Sequence, residues 1–180
     1  MKAMRIFFVI GVGLVLLSQT SCSTQWRIKH YSGDGNIKTI PTPFFVHDGY
    51  TVQFKPVKLD HSTRLTYHFK GLPKIAWRVD VFFEIDDPRL LDDKERYDLK
   101  GTLAMSLKDS KGNLIMQFEH KLSELVWSRG SGPWELYDEE KPGFTADSTV
   151  EYTLEVTIDP DSALKDDKGY VLFSTGGFGK

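Results

Sequence analysis

Four side chains in one stretch of the sequence have the chemistry of a binding surface. Trp127, Arg129, Trp134 and Tyr137 fall in or beside a long irregular connection, residues 128–147. Tryptophan, tyrosine and arginine dominate the binding energy of protein interfaces, and aromatic rings also stack on sugars. The four residues therefore predict a site for a protein partner or, alternatively, for a glycan. A third interpretation is that the two tryptophans only cap the core, because tryptophan is usually mostly buried.

The histidines and acidic residues form no metal-binding pattern. The five histidines contain neither an HxH nor an HExxH pair, so a zinc site is not predicted. Paired aspartates lie near residues 86–93 and 159–167, and oxygen ligands on loops suit calcium. Neither segment has the ligand order of the twelve-residue calcium loop, and aspartate is common in turns because it bonds nearby backbone N–H groups. We therefore expect no metal and no other cofactor.

No catalytic pattern is present in the sequence. Gly130-Ser131-Gly132 lacks the Gly-x-Ser-x-Gly spacing of a nucleophile elbow. Carboxylates are abundant, so their presence alone does not indicate a glycosidase pair. The glycines at 176–179 have no strand, loop and helix around them to form a phosphate-binding loop. We expect a protein without catalytic activity, and an envelope hydrolase is the alternative.

The only cysteine, Cys22, follows an export signal. Lys2 and Arg5 precede an apolar run at residues 6–17. A run of about twelve residues is too short to span a bilayer as a helix, and it has the length of the apolar core of a cleavable signal peptide. An exported chain with one cysteine would otherwise carry a reactive thiol, so a modification of Cys22 is expected.

The end of this signal resembles that of bacterial lipoproteins. The residues that carry the resemblance are Leu16, Leu17, Thr20 and Ser21 before Cys22, with Gln19 where the family usually has leucine. The resemblance implies that Cys22 is lipidated, becomes the mature N-terminus and holds the protein on a membrane. Ser23 resembles the residue found in lipoproteins sent to the outer membrane, which predicts the periplasmic face of that membrane. Ordinary secretion, with cleavage beside a free Cys22, is the alternative.

The rest of the sequence alternates apolar and polar residues with a period of two, which predicts β-strands. The clearest segment, 75–85, is predicted to be a long central strand. Similar alternation recurs at 51–55, 64–69, 99–107 and 150–158, and further strands are predicted at 114–120, as the return strand of a hairpin, and at 169–174, as a short apolar return. No segment sustains a helical period, although 87–91, 122–127 and 161–165 suit a helical turn. The pattern predicts an all-β fold, an antiparallel β-sandwich of about seven to nine strands with a jelly-roll or immunoglobulin-like arrangement.

The chain is expected to divide into three parts. Residues 1–21 are the lipoprotein signal peptide, residues 22–36 the lipidated cysteine with a flexible tether, and residues 37–180 a single β-sandwich domain. Loss of the signal removes two of the 23 basic residues and leaves 21 against 25 acidic ones. Scattered basic residues with a mild acidic balance exclude nucleic acid as a partner.

The last strands resemble small bacterial lipoproteins of uncharacterised domain families. The resemblance is carried by residues 152–158, by the acidic turn Asp159-Pro160-Asp161 and by residues 170–173. It implies an envelope protein without catalysis and transfers no site residues. The predicted function is a lipid-anchored protein that binds a protein partner in the envelope, either an assembly partner or a toxin that it neutralises. A carbohydrate-binding module is the alternative.

Overall fold

Two antiparallel sheets packed against each other form the fold, and the predicted β-sandwich is confirmed. The computed structural model describes residues 28–40, 49–74, 78–86, 98–129, 134–138 and 143–175. The segment expected to be a signal peptide, residues 1–21, and Cys22 lie outside this part of the chain. Among the described residues, no helix has the length and apolar character needed to cross a membrane.

Thirteen strands and two short 3₁₀ helices are described. The strands are β1 Ser32–Gly33, β2 Asn36–Ile40, β3 Gly49–Gln53, β4 Val57–Lys58, β5 Thr63–Lys70, β6 Val79–Asp86, β7 Thr102–Asp109, β8 Leu114–Lys121, β9 Val126–Arg129, β10 Trp134–Tyr137, β11 Gly143–Phe144, β12 Glu151–Asp159 and β13 Lys168–Thr175. The 3₁₀ helices are Leu122–Glu124 and Ser162–Leu164, within two of the three segments where a helical turn was expected; the third, 87–91, lies outside the described residues. The described strands outnumber the seven to nine expected because five of them are too short to show alternation: β1, β4 and β11 have two residues each, and β9 and β10 have four each.

The two sheets differ in size and strand order. The five-stranded sheet has the order β1-β5-β12-β7-β8, and the eight-stranded sheet has the order β2-β3-β13-β6-β10-β9 with β11 beside β6 and β4 beside β13. Strand β6, the described part of the predicted central strand, pairs with β13 along its whole length and with β10 and β11 on its other side. The prediction of a central strand is therefore correct for residues 79–85, whereas Arg78 precedes the strand and residues 75–77 lie outside the described chain.

Alternation in the sequence places one side of each sheet in a common core. In β12, Tyr152, Leu154, Val156 and Ile158 are buried and alternate with more exposed residues. At the centre, Phe69 of the five-stranded sheet contacts Phe173 of the other sheet with ring centroids 5.6 Å apart. Burial of each such apolar side chain contributes roughly 1.5–3 kcal/mol, so contacts of this kind hold the two sheets together.

The end of the expected tether is part of the sandwich. Strand β1 pairs with the end of β5, and Tyr31 packs against Phe69 with ring centroids 6.4 Å apart. Gly33 has a φ of 111°, and a Cβ atom on it would lie 2.3 Å from the carbonyl oxygen of His68. Only glycine allows this backbone conformation and this close approach. Residues 31–34 are thus attached to the five-stranded sheet.

Candidate functional site

The connection predicted as irregular contains three strands. Residues 128–147 include the end of β9, all of β10 and β11, so the prediction of a long loop is wrong there. Strands of four and two residues are too short for alternation to reveal them, and their pairing is supplied by β6, which is distant in sequence. The segments 130–133 and 139–142 lie outside the described residues.

The four predicted binding residues lie on one hairpin, formed by β9 and β10. Trp134 is in register with Arg129, and Trp127 with Leu136. Leu136 is fully buried on the core side of the eight-stranded sheet. Tyr137 belongs to the other side, where its ring packs edge-on to Phe82 with centroids 5.7 Å apart. The binding role of the four residues stays a prediction, as does lipidation of Cys22.

Two exposed apolar side chains mark a different candidate site, at the start of β8. Leu114 is 54% exposed and Ile115 is 37% exposed. Strand β8 ends the five-stranded sheet, with β7 as its paired neighbour in the described chain. Adjacent apolar side chains at the rim of a sheet are costly to leave in water and are a feature of interaction surfaces.

A β-bulge exposes both side chains together. Met116 is in register with Leu107, but Leu114 is in register with Lys108, so the register shifts by one residue between these pairs. The additional residue, Ile115, interrupts the alternation that would otherwise bury one member of the pair. Bulges at sheet edges commonly redirect side chains in this way.

The turn before the bulge is held by one carboxylate. Asp109 accepts hydrogen bonds from the backbone N–H groups of Lys111 and Asn113, each at 2.8 Å, and from the side chain of Asn113 at 2.8 Å. Hydrogen bonds from Asn113 are the main reason that the pKa of Asp109 is lowered from its ordinary value. The fixed turn therefore sets where Leu114 begins.

Within the described part of the chain, no second strand pairs with the rest of the β8 edge. Leu122 N–H donates to the Gly101 carbonyl at 2.8 Å, which fixes the hydrogen-bonding phase of this antiparallel pair. Because hydrogen-bonded and non-hydrogen-bonded pairs alternate, Phe118 and His120 direct their backbone groups to β7. Gln117 and Glu119 direct theirs away from the sheet, and both residues are exposed.

Near its C-terminal end, β8 contacts the eight-stranded sheet. His120 Nε2 lies 3.3 Å from Oδ2 of Asp138, which directly follows β10, and the Asp138 side chain is only 7% exposed. The His120 ring also stacks on Phe118 with centroids 5.9 Å apart. The contact ties the end of β8 to the eight-stranded sheet and positions its free edge.

A groove of about 420 Å³ lies on the five-stranded sheet, between β1 and the turn that joins β7 to β8. Its lining residues are Ser32, Gly33, His68, Phe69, Lys70, Ser110, Glu151, Tyr152 and Thr153. Within it, Lys70 Nζ lies 3.3 Å from Glu151 Oε1, and His68 Nδ1 lies 3.2 Å from Thr153 Oγ1. The two aromatic residues are each only 3% exposed. The groove therefore offers no ring on which a sugar could stack.

Ion pairs and hydrogen bonds within the sheet cover the outer surface between the groove and β7. Glu155 accepts hydrogen bonds from Lys108 at 2.8 Å, from Ser106 at 3.2 Å and from Arg64 at 3.3 Å. Within the described residues, no group of three or more histidine, cysteine or acidic residues could hold a metal ion. This surface has the character of an ordinary solvated sheet face.

Sequence comparison assigns the chain to no known group. No family model matches it, and no curated protein matches it. One similar solved structure is an arabinose-bound α-L-arabinofuranosidase, with 17% sequence identity and a TM-score of 0.28 over 83% of this chain. This chain spans 23% of the length of that enzyme's chain. A similarity at this TM-score carries no argument about fold or function.

Sequence reasoning missed the β8 edge because it treated 114–120 as a regular strand. One signal was present: Leu114, Ile115 and Met116 are three apolar residues in a row at the start of an alternating segment. In a half-buried strand with a period of two, such a run requires either an exposed apolar residue or a bulge. Both occur here.

Proposed function

We propose that this protein is a non-catalytic, lipid-anchored envelope protein that binds a protein partner at the β8 edge. The observation that carries the proposal is the exposure of Leu114 and Ile115, at 54% and 37%, on the rim of a sheet. Contact with a partner would remove this apolar surface from water, which favours association. Charged residues follow along the edge, and charged side chains on an edge strand disfavour nonspecific strand pairing.

The position of the expected tether supports partner binding at the β8 edge. The chain enters the five-stranded sheet at β1, whereas β8 is the opposite end of the strand order. Four strand spacings separate these two edges, which is about 19 Å. A lipid at Cys22 would hold the sandwich by its β1 side, and the β8 edge would be free to meet a partner.

The carbohydrate alternative has less support. Sugar binding generally uses exposed aromatic rings, and the rings that line the groove are buried. The predicted hairpin residue Tyr137 directs its ring against Phe82. A protein partner is thus the better match to the described surface.

Site-specific photocrosslinking in cells tests the proposal. A photoreactive amino acid replaces Leu114 or Ile115 in the full-length chain, and exposed Thr66 on the outer face of β5 serves as the control position. We expect a reproducible protein adduct from positions 114 and 115 and none from position 66. The absence of adducts at 114 and 115, combined with specific glycan binding on an array, would reject the proposal.

The anchor is tested separately by metabolic labelling with palmitate. We expect label in the wild-type protein and none in the Cys22→Ala variant, because the resemblance assigns the lipid to this cysteine. Equal label in both proteins, or in neither, would contradict the anchored form.

A further inference from the structure

We infer that the partner binds by strand addition: it supplies an extended segment that pairs with the backbone of β8 at Gln117 and Glu119. This inference rests on the proposed function and specifies how the same edge would be used. An extended segment can satisfy a row of outward backbone groups, and its alternate side chains provide the specificity.

The backbone of β8 is prepared for such pairing. The hydrogen bond from Leu122 N–H to Gly101 places the N–H and C=O groups of Gln117 and Glu119 on the free edge. Between them, Phe118 is 6% exposed and anchored in the core. The N–H of Lys121 donates to Glu124 Oε2 at 3.2 Å, which ends the free row. The stretch of β8 available for pairing is therefore short, and Phe118 anchors it in the core.

Charge and apolarity along the edge indicate the chemistry of the added segment. Lys121 Nζ is paired with Glu124 Oε1 at 3.2 Å, whereas Glu119 has no hydrogen bond or ion pair from its carboxylate within the described residues. Its register neighbour on β7 is Ala104, which offers no charge. A basic side chain beside Glu119 would complement this carboxylate, since opposite charges across paired strands are favourable.

The bulge supplies the second recognition element. Leu114 and Ile115 project at the end of the free row and would contact an apolar side chain of the same segment. The inferred partner segment is therefore extended, with a basic residue and an apolar residue separated along one strand. A second copy of this chain is the competing occupant of the edge.

Proline substitution tests the backbone role directly. Proline removes the N–H group and is tolerated at edge positions whose N–H faces solvent. Glu119→Pro removes an outward N–H without removing a hydrogen bond to β7, and Glu119→Ala removes the carboxylate but keeps the N–H. The probe is a linear octapeptide selected from a display library on the immobilised full-length protein and then synthesised.

We expect Glu119→Pro to weaken peptide binding by about tenfold or more, the factor expected for one lost interface hydrogen bond. Glu119→Ala should weaken it less and should reduce the preference for a basic residue. In the wild-type protein, bound peptide should slow hydrogen exchange at the amides of Gln117 and Glu119. The hydrogen-exchange measurement uses the wild-type protein, so it tests strand addition even if the proline variant does not fold.

Three results would overturn the inference. One is an unchanged exchange rate at both amides in the peptide complex, and another is equal peptide affinity of folded Glu119→Pro and wild type. The third is self-association of the protein that is lost in Glu119→Pro, which would assign the edge to a second copy. If strand addition fails but positions 114 and 115 still form crosslinks, the proposed partner binding remains intact. Missing crosslinks combined with specific glycan binding would reject the proposed function itself.

Discussion

Tyr50 carries a buried hydroxyl without a hydrogen-bond partner among the residues that the structure describes. The residue is 2% exposed, and its hydroxyl oxygen has no acceptor or donor nearby. Burial raises the pKa of Tyr50 above its ordinary value, so the hydroxyl stays neutral. The backbone groups of Tyr50 do have partners. The Tyr50 N–H donates to Thr175 Oγ1 at 2.7 Å, and the Thr175 hydroxyl donates to the Tyr50 carbonyl at 3.1 Å.

The Tyr50→Phe variant is predicted to be more stable than the wild type. Removing a buried, unsatisfied hydroxyl recovers its desolvation penalty, which is about 1–3 kcal/mol. Tyr152→Phe is the matched control, because the Tyr152 hydroxyl accepts the Asp147 N–H at 2.8 Å and its loss should destabilise the protein. Urea denaturation measures both changes. A lower free energy of unfolding for Tyr50→Phe would show that a buried water satisfies this hydroxyl and would contradict the prediction.

At the scale of single elements, the attachment of β1 depends on a glycine. Gly33 combines a φ of 111° with backbone atoms of His68 and Phe69 in the space of a Cβ atom. Gly112, in the turn between β7 and β8, also has a positive φ of 81° but has open space around it. A substitution at Gly112 therefore tests backbone strain alone, whereas a substitution at Gly33 tests strain together with steric exclusion.

Gly33→Ala is predicted to destabilise the protein more than Gly112→Ala. Both variants place alanine in the left-handed region, at about 1–2 kcal/mol, but only Gly33→Ala must also displace β1 from β5. Thermal unfolding compares the two, and limited proteolysis reports whether the segment before β2 becomes accessible. Equal melting temperatures for the two variants, with no new cleavage, would show that the close approach of β1 is not required.

The elements that sequence could predict are those with complete alternation. Strands β5, β12 and β13 match the expected segments to within one residue at each end, and β12 alternates buried and more exposed residues over all nine positions. Strand β7 lies at Thr102–Asp109, where 99–107 was expected. The β9–β10 hairpin was missed because its strands are short and its pairing to β6 is non-local. The β8 edge was missed because register and bulges depend on the neighbouring strand, here through Lys108 and Leu107. The predicted residues Trp127, Arg129, Trp134 and Tyr137 shared a hairpin, but sequence could not assign them to sides of a sheet.

At the scale of the whole molecule, three separate turns use aspartate carboxylates in the same way. Asp109 is held mainly by Asn113, Asp147 mainly by the backbone N–H of Thr149, and Asp161 mainly by the backbone N–H of Ala163; each of these bonds lowers the pKa of its carboxyl from the ordinary value. A carboxyl whose pKa is lowered by folding stabilises the protein above its unfolded pKa. That contribution is lost as the pH falls through the lower, folded value.

Stability is therefore predicted to fall in acid. The midpoint of urea denaturation should decrease as the pH is lowered from about 5 to about 2.5, through the range in which these carboxyls become protonated. A variant with Asp109→Asn, Asp147→Asn and Asp161→Asn should be less stable at neutral pH and should depend less on pH. A midpoint that is constant over this range in the wild type would contradict the role given to the three turns.

The opposite positions of β1 and β8 have a mechanical consequence. With a lipid holding the β1 side and a partner seated on β8, tension between membrane and partner would act across the five-stranded sheet, perpendicular to its strands. The interstrand hydrogen bonds lie along that direction, so they would share the load along each ladder. The contact between His120 and Asp138 would pass part of the same load to the second sheet. The sandwich would therefore transmit tension between the membrane and the partner.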